Sequence, residues 1–258
     1  MTPKKLVEGL DAGAKHSLAI SASCACVGFI IGASTLTGLG FKFSGAVVSV
    51  ASHMGEVLTS LAPFGIIQEQ DAVLLIALLF VGVTCILMGA GIPTIPTYII
   101  LSAIAAPALQ ELGVPLLITH FFVFYYGVLA DVTPPVALAA YAASGISGSE
   151  PMRTGVTAFR LSMGKALVPF MFVYAPSLLF INFSWVEFAL ALSSGILCII
   201  ALSVAYIGYF RTETTRVEKV LLNFGGFILI WSGLYVVIVG TILCTYALYS
   251  NYKRSKEQ

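Results

Sequence analysis

The chain runs to 258 residues, 59% of them hydrophobic and only 10% charged, against about 25% charged in a soluble domain. That balance excludes a water-soluble globular fold and points to an all-α integral membrane protein. The net charge of +1 offers nothing to a nucleic acid, and Cys24, Cys26, Cys85, Cys198 and Cys244 lie in apolar runs without C-x-x-C spacing, as small packed hydrophobes do.

Residues 1–15 carry Lys4, Lys5, Glu8, Asp11 and Lys15 ahead of any apolar run. A secretory signal needs its apolar core directly after the basic start, so this stretch is predicted to be a short amphipathic segment on the cytoplasmic surface. Residues 16–36 hold no Asp, Glu, Lys or Arg and are long enough to cross a hydrocarbon core of about 30 Å. Gly28 and Gly32 form a G-x-x-x-G pair that lets another helix approach, and Thr35 to Gly40 loosens the helix end. Residues 41–71, with Lys42, Glu56, Glu69 and Asp71, read as an interfacial connection with a helix over 43–61.

Residues 72–110 contain no charge, yet two crossings at roughly 20 residues each would barely fit. Gly89, Gly91, Pro93 and Pro96 break the middle. Two arms, 72–88 and 97–110, meeting at a glycine-proline tip are predicted to form a re-entrant hairpin with both ends on one side of the membrane. Residues 114–148 pose the opposite problem, since one straight helix would run about 52 Å. Pro134 and Pro135 sit near its centre and lack the N–H groups that would bond Ala130 and Asp131. Two half-helices around an unwound joint are predicted.

A basic loop over 149–165, spans at 166–184 and 187–210, a second basic loop over 211–219 and a last span over 221–249 complete the chain. The positive-inside rule puts the N-terminus and both basic loops in the cytoplasm, and Glu56 to Glu111 and Glu187 outside. Lys253, Arg254 and Lys256 would then fall outside too, against the rule.

Asp131 is the one ionisable side chain near the middle of this second apolar run. A carboxylate there is costly unless paired or wet, which makes it a candidate functional group; it could equally cap the second half-helix. Thr133 adds a hydroxyl, and the carbonyls of Ala130 and Asp131, released by Pro134 and Pro135, add more oxygen. The hairpin tip offers a matching set: the carbonyls of Gly89 and Ile92, released by Pro93 and Pro96, and the hydroxyls of Thr94 and Thr97. Hard cations take oxygen ligands at unwound transporter helices, and helix N-termini beside them suit an anion. A Na⁺ site is therefore proposed at Gly89, Ile92, Thr94, Ala130, Asp131 and Thr133, with no other cofactor, next to a carboxylate-bearing substrate. Plain proline kinks are the competing reading. His16, His53 and His120 read as polar contacts near interfaces or along a helix, and Tyr125, Tyr126 and Tyr141 as aromatic packing, with the lining of a pathway as the alternative. Gly145-Ile-Ser-Gly148 matches the G-x-S-G of rhomboid-type intramembrane proteases, but no histidine follows His120 to serve as base.

Met88-Gly-Ala-Gly-Ile-Pro-Thr94 and Phe124-Tyr-Tyr-Gly-Val-Leu-Ala-Asp-Val-Thr-Pro-Pro-Val136 resemble the large membrane subunit of tripartite ATP-independent periplasmic (TRAP) transporters. The TAXI-type fused permease is the closer match, in its C-terminal half. Thr35 to Ser44, Glu150 to Gly155 and Val168 to Tyr174 extend the likeness over roughly residues 5–180. The resemblance implies an elevator-type importer of an organic acid in the bacterial inner membrane, coupled to sodium. It also implies a periplasmic substrate-binding protein, a small membrane subunit and a surrounding lipid bilayer as partners. Gly89, Gly91, Thr94, Thr97, Asp131, Thr133, Pro134 and Pro135 map onto one of its sodium sites. The chain then divides into the segment 1–15, a transport repeat over 16–148 and C-terminal spans over 149–258.

Two departures stand out. The DctM-type branch carries an aspartate in the hairpin arm and none in the joint, whereas here Pro93 takes the hairpin position and Asp131 lies in the joint. A complete permease of this kind has two inverted repeats, and only one hairpin and one broken helix are present, so an N-terminal half is expected as a further partner. Proton coupling, or another anion transporter of the DASS-like kind, remains an alternative, because a desolvated carboxylate binds protons more readily.

Overall fold

The computed structural model describes residues 2–61, 68–231 and 233–257; positions 62–67 of the expected interfacial connection lie outside the described residues. Among the described residues the chain is helical, with one isolated β-bridge between Tyr209 and Glu213. Helix α1 (Pro3–Thr37) opens on a proline and ends on Gly38, whose φ of 64° is the left-handed cap that glycine adopts without penalty. Helix α2 (Leu39–Leu61) leaves at a bend of 67°. The segment predicted over 1–15 is thus not separate. Nothing between Pro3 and Thr37 interrupts the helix, and the Lys15–Asp11 pair at 2.7 Å supports its exposed face.

Next comes the helical hairpin. Helix α3 (Glu69–Gly89) is one arm, and α4 (Thr94–Ile104) with α5 (Ala106–Glu111) is the other. The return arm divides at Ala105 because Pro107 cannot donate to the turn before it. Both open ends of the hairpin border one recess, lined by Gln68 to Asp71 on one arm and Leu112 after the other. Helix α6 (Leu116–Ala130) runs parallel to α3. A Cβ on Gly82 would touch the Tyr126 ring at 3.3 Å, and one on Gly89 would meet Ala130 Cβ at 2.9 Å. Leu78, Val81, Leu101, Leu109, Phe122 and Val123 fill the space between these helices. In lipid such contacts stabilise by close packing, since the tails outside are as apolar as the core.

Residues 131–137 separate α6 from α7 (Leu138–Ser147), as predicted, and the Pro134–Pro135 peptide is cis. The second half of the chain departs from expectation. The basic loop over 149–165 is mostly helix: Glu150 accepts from the N–H groups of Met152 and Arg153, and Pro151 opens α8 (Pro151–Met163). With α9 (Val168–Tyr174) it makes a run, Pro151–Tyr174, long and apolar enough to cross a membrane. The span predicted over 166–184 stops at Ala175, where Pro176 turns the chain into a short 3₁₀ helix, Pro176–Leu179. Helix α10 (Trp185–Ile207) is a clean span.

The run over 221–249 is not one crossing. Helix α11 (Arg216–Ile228) ends, the chain turns back, and α12 (Leu234–Glu257) returns beside it. The turn lies with the hairpin ends: Ile230 and Trp231 join the hairpin's core, and the Trp231 ring sits 5.3 Å from Tyr174. The far end of α12 is tied to the start of α11 by Arg254 and Glu218, at 3.1 Å. Lys253, Arg254 and Lys256 therefore share a side with the loop 211–219. The conflict with the positive-inside rule disappears, because it came from counting two antiparallel helices as one. In a cysteine-free background, Lys253→Cys and Glu213→Cys are expected to react with an impermeant maleimide only from the cytoplasmic side, and Glu111→Cys only from the opposite side. Labelling of positions 253 and 213 from opposite sides would overturn this topology.

Candidate functional site

The tip of the hairpin and the break after α6 meet. Thr94, first residue of α4, donates its hydroxyl to Asp131 Oδ2 at 3.0 Å, across 37 residues of sequence. Gly89 permits the approach. A Cβ there would crowd Ala130 Cβ at 2.9 Å, Thr97 Cγ2 at 3.1 Å and the Gly127 carbonyl at 3.2 Å. Gly91 holds φ at 82°, a conformation that turns the tip and that side chains resist, and its vacant Cβ position faces Val136.

The prolines remove the helical partners of four carbonyls, as the sequence predicts, but those carbonyls are not orphaned. Gly89 accepts from the Ile92 N–H at 3.3 Å, Ala130 from Thr133 at 3.1 Å, and Asp131 from Ala139 at 3.1 Å. Ile92 accepts from the Thr97 hydroxyl at 3.1 Å. Tight turns replace the lost bonds at Gly89 and Ala130, a hydroxyl does so at Ile92 and the start of α7 at Asp131, as buried backbone requires. Each oxygen keeps a second lone pair, so these carbonyls remain available as ion ligands but are held in place first. Thr133 donates to the Leu129 carbonyl in the last turn of α6 at 2.8 Å rather than across to the hairpin.

Asp131 does not cap the second half-helix. The N-cap of α7 is Ala137, at φ 32°, and it makes no side-chain cap bond. The carboxylate is turned toward Thr94 instead. It is half-buried and lines a recess of about 500 Å³ with Pro93, Thr94, Ile95, Leu138 and Ala139. Two helix starts without side-chain caps, those of α4 and α7, border that recess. Backbone N–H groups at such ends carry partial positive charge. One carboxylate, a hydroxyl, and two helix N-termini over apolar walls can hold a small cation beside an anion.

Of the residues named from sequence, Gly89, Thr97 and Ala130 are buried packing partners at the junction, and Thr94 and Asp131 form a side-chain bridge between the breaks. Pro135 is exposed, with its carbonyl held by the Tyr141 hydroxyl at 2.7 Å. Tyr141 thus braces the joint beyond its expected packing role. Tyr126 lies in the core and donates to the Ala166 carbonyl at 2.6 Å. Tyr98 was not singled out from sequence, yet its hydroxyl lies 2.9 Å from His120 Nδ1. Its position four residues after Thr94 is the signal: both face α6 from one side of α4. His53 is exposed, and the side chain of His16 lies outside the described residues. Ser147 pairs with Ser149 Oγ at 2.7 Å and donates to the Ser144 carbonyl at 3.4 Å.

Residues 1–187 match the family described as "Tripartite ATP-independent periplasmic transporter, DctM component". That span takes in α1 to α9 and the first turn of α10. Neither the curated proteins nor the solved structures contain a match.

Proposed function

Because this chain belongs to the DctM component family of tripartite ATP-independent periplasmic transporters, we propose that it imports an organic anion coupled to sodium, with substrate handed over by a periplasmic binding protein. The family is one of transporters and not of enzymes, and membership makes this chain a multi-pass membrane permease component. The finer reading is of a TAXI-type permease in the bacterial inner membrane, working with a small membrane subunit and a second, inverted set of hairpin and broken helix. In this reading the hairpin and the broken helix move together as an elevator. The sodium ion sits at Gly89, Ile92, Thr94, Ala130, Asp131 and Thr133, and the carboxylate of the substrate faces the N-termini of α4 and α7.

One observation carries the proposal: the hydroxyl of the hairpin tip is bonded to the only carboxylate in the joint. Two unrelated proline kinks would have no reason to place these groups together. The recess has no Lys or Arg in its walls, which favours capture of the anion by backbone N–H groups and by the bound cation. The direct test is binding of radioactive Na⁺ to the purified full chain in nanodiscs, in competition with K⁺, Li⁺ and choline. Saturable binding displaced by unlabelled Na⁺ and not by K⁺ or choline is expected. Binding that is absent, or an uptake driven by pH with no response to Na⁺, would replace sodium with proton coupling.

A further inference from the structure

The far end of the C-terminal unit carries a feature that transport at the hairpin does not use. Helices α10, α11 and α12 pack around their own core of Cys198, Leu202, Leu222, Leu229 and Cys244. At one end of this bundle the clamp between α11 and α12 gathers charge. Arg211, Arg216, Lys219, Lys253 and Lys256 lie within a few residues of it along the chain, with Arg254 inside it, against Glu213 and Glu218. Glu218 is already taken up by Arg254, at 3.1 Å. The remaining face is strongly cationic.

Below this face lies a girdle of rings. Tyr206, Tyr209, Tyr246, Tyr249 and Tyr252 are all exposed. Amphipathic rings of this kind settle at the level of lipid headgroups. Helix α11 turns Val217, Val220, Phe224 and Phe227 outward and keeps Glu218, Leu222 and the two glycines Gly225 and Gly226 against the bundle. Its outer face is thus apolar directly beneath the cations.

Between the cations is a recess lined by Thr212, Glu213, Thr214, Thr215 and Arg254. Two of its polar groups are buried without a partner: the hydroxyl of Thr214, a residue only 9% exposed, and Nε of Arg254. A buried hydroxyl left unpaired costs free energy, and a ligand oxygen would satisfy it. The recess also opens at the start of α11, where Arg216 and Val217 present N–H groups outside the Thr215–Glu218 capping box. Lys219 and the Thr214 hydroxyl both lie close to Gly208, the hydroxyl 3.9 Å from where a Cβ would stand on it. The Lys219 Nζ lies 3.1 Å from that Cβ position, so only glycine leaves room for the ammonium there. Glu213 opposes an anion, but it is exposed, and its backbone rather than its carboxylate is bonded, the carbonyl to Arg254.

We propose that this corner is a binding site for the phosphate headgroup of an anionic phospholipid, with the acyl chains lying along the apolar face of α11 and the tyrosine girdle. Basic pockets between membrane helices on the cytoplasmic side hold such lipids. A soluble phosphate would satisfy the recess but would gain nothing from the apolar face below, which is why a lipid is the favoured source. The site would fix the depth of a bundle that lies outside the family match and has its own core.

The test uses the full chain in nanodiscs of phosphatidylcholine with or without phosphatidylglycerol. Phosphatidylglycerol retained through delipidation is counted by mass spectrometry, and the thermal midpoint is followed. Phosphatidylglycerol is expected to remain bound and raise the midpoint. Arg211→Gln with Lys219→Gln is expected to lower retention roughly fivefold for each cation removed. Neither side chain takes part in the clamp, so folding should persist. Thr214→Val is the second arm, removing the unpaired hydroxyl at constant shape; it too should reduce retention. Equal retention of phosphatidylcholine, full protection by inorganic phosphate alone, or unchanged retention in both variants would overturn the proposal.

Discussion

Replacement of Asp131 by asparagine is expected to remove most of the sodium affinity while leaving the hairpin seated. The amide oxygen of the substituted side chain would still accept from the Thr94 hydroxyl, which in the native chain reaches Oδ2 at 3.0 Å. The negative charge would be gone. A unit charge about 4 Å from an ion, at an effective dielectric constant of about 20, contributes up to about 4 kcal/mol. Part of that is offset by the cost of desolvating the carboxylate. A fall of at least a hundredfold in Na⁺ affinity, about 2.7 kcal/mol, is the expected reading in the radioactive binding assay. Thr94→Val separates charge from anchoring. It keeps the carboxylate but takes away its donor, so it should loosen the tip, seen as faster amide exchange over residues 89–97, with a smaller loss of affinity. If Asp131→Asn binds Na⁺ as tightly as the parent, the junction is a structural joint and the ion site must be sought elsewhere.

Asp131 also illustrates how much residue types alone reveal. A carboxylate and two prolines inside an apolar run are strong signals, because each is expensive there and only an unwound joint accommodates all three. The meeting of that joint with the hairpin tip was therefore legible. The bonding within it was not. Whether the Ala130 carbonyl stays free or takes the Thr133 N–H depends on a turn geometry that residue types do not specify. Tyr98 and His120 were readable in principle from the spacing of Thr94 and Tyr98, but an aromatic in a membrane helix carries little information alone. The C-terminal half failed for a different reason. Hydropathy over 221–249 is continuous, so a length criterion joins α11 and α12 into one span, although Ser232 and Gly233 are turn-forming residues in its middle. Glu150-Pro151 and Thr215-x-x-Glu218 were both helix-start signatures. They lay in stretches already assigned to loops by their charge.

Glu218, at the clamped end of the C-terminal bundle, tests that corrected half most severely. Its carboxylate accepts from the Thr215 N–H at 2.8 Å, Ser250 Oγ at 3.1 Å, Asn251 Nδ2 at 3.4 Å and Arg254 Nη2 at 3.1 Å, in a side chain only 5% exposed. Burial alone would push its pKa up; the bonds from Thr215, Asn251 and Ser250 and the charge of Arg254 outweigh that and hold it below the usual carboxylate value. Glu218→Ala leaves these donors facing an empty acceptor. Breaking a buried pair from one side costs roughly 3–5 kcal/mol, against about 1 kcal/mol for the loss of an N-cap in Thr215→Ala. Because α10 to α12 have their own core, the damage should stay local. Amide exchange over residues 216–257 should accelerate strongly, while residues 69–130 keep their protection. Protonation should act as the substitution does. A carboxyl whose folded pKa is lowered gives its full stabilisation above the ordinary carboxylate range and loses it as pH falls through the lowered value. Protection of α11 and α12 should accordingly hold from neutral pH to about pH 5 and fail only in stronger acid, and in Glu218→Ala that acid step should be missing. An unchanged exchange rate in Glu218→Ala, or an acid step that survives the substitution, would mean that the two helices are held together by their apolar contacts and that the tail owes its side of the membrane to something other than this clamp.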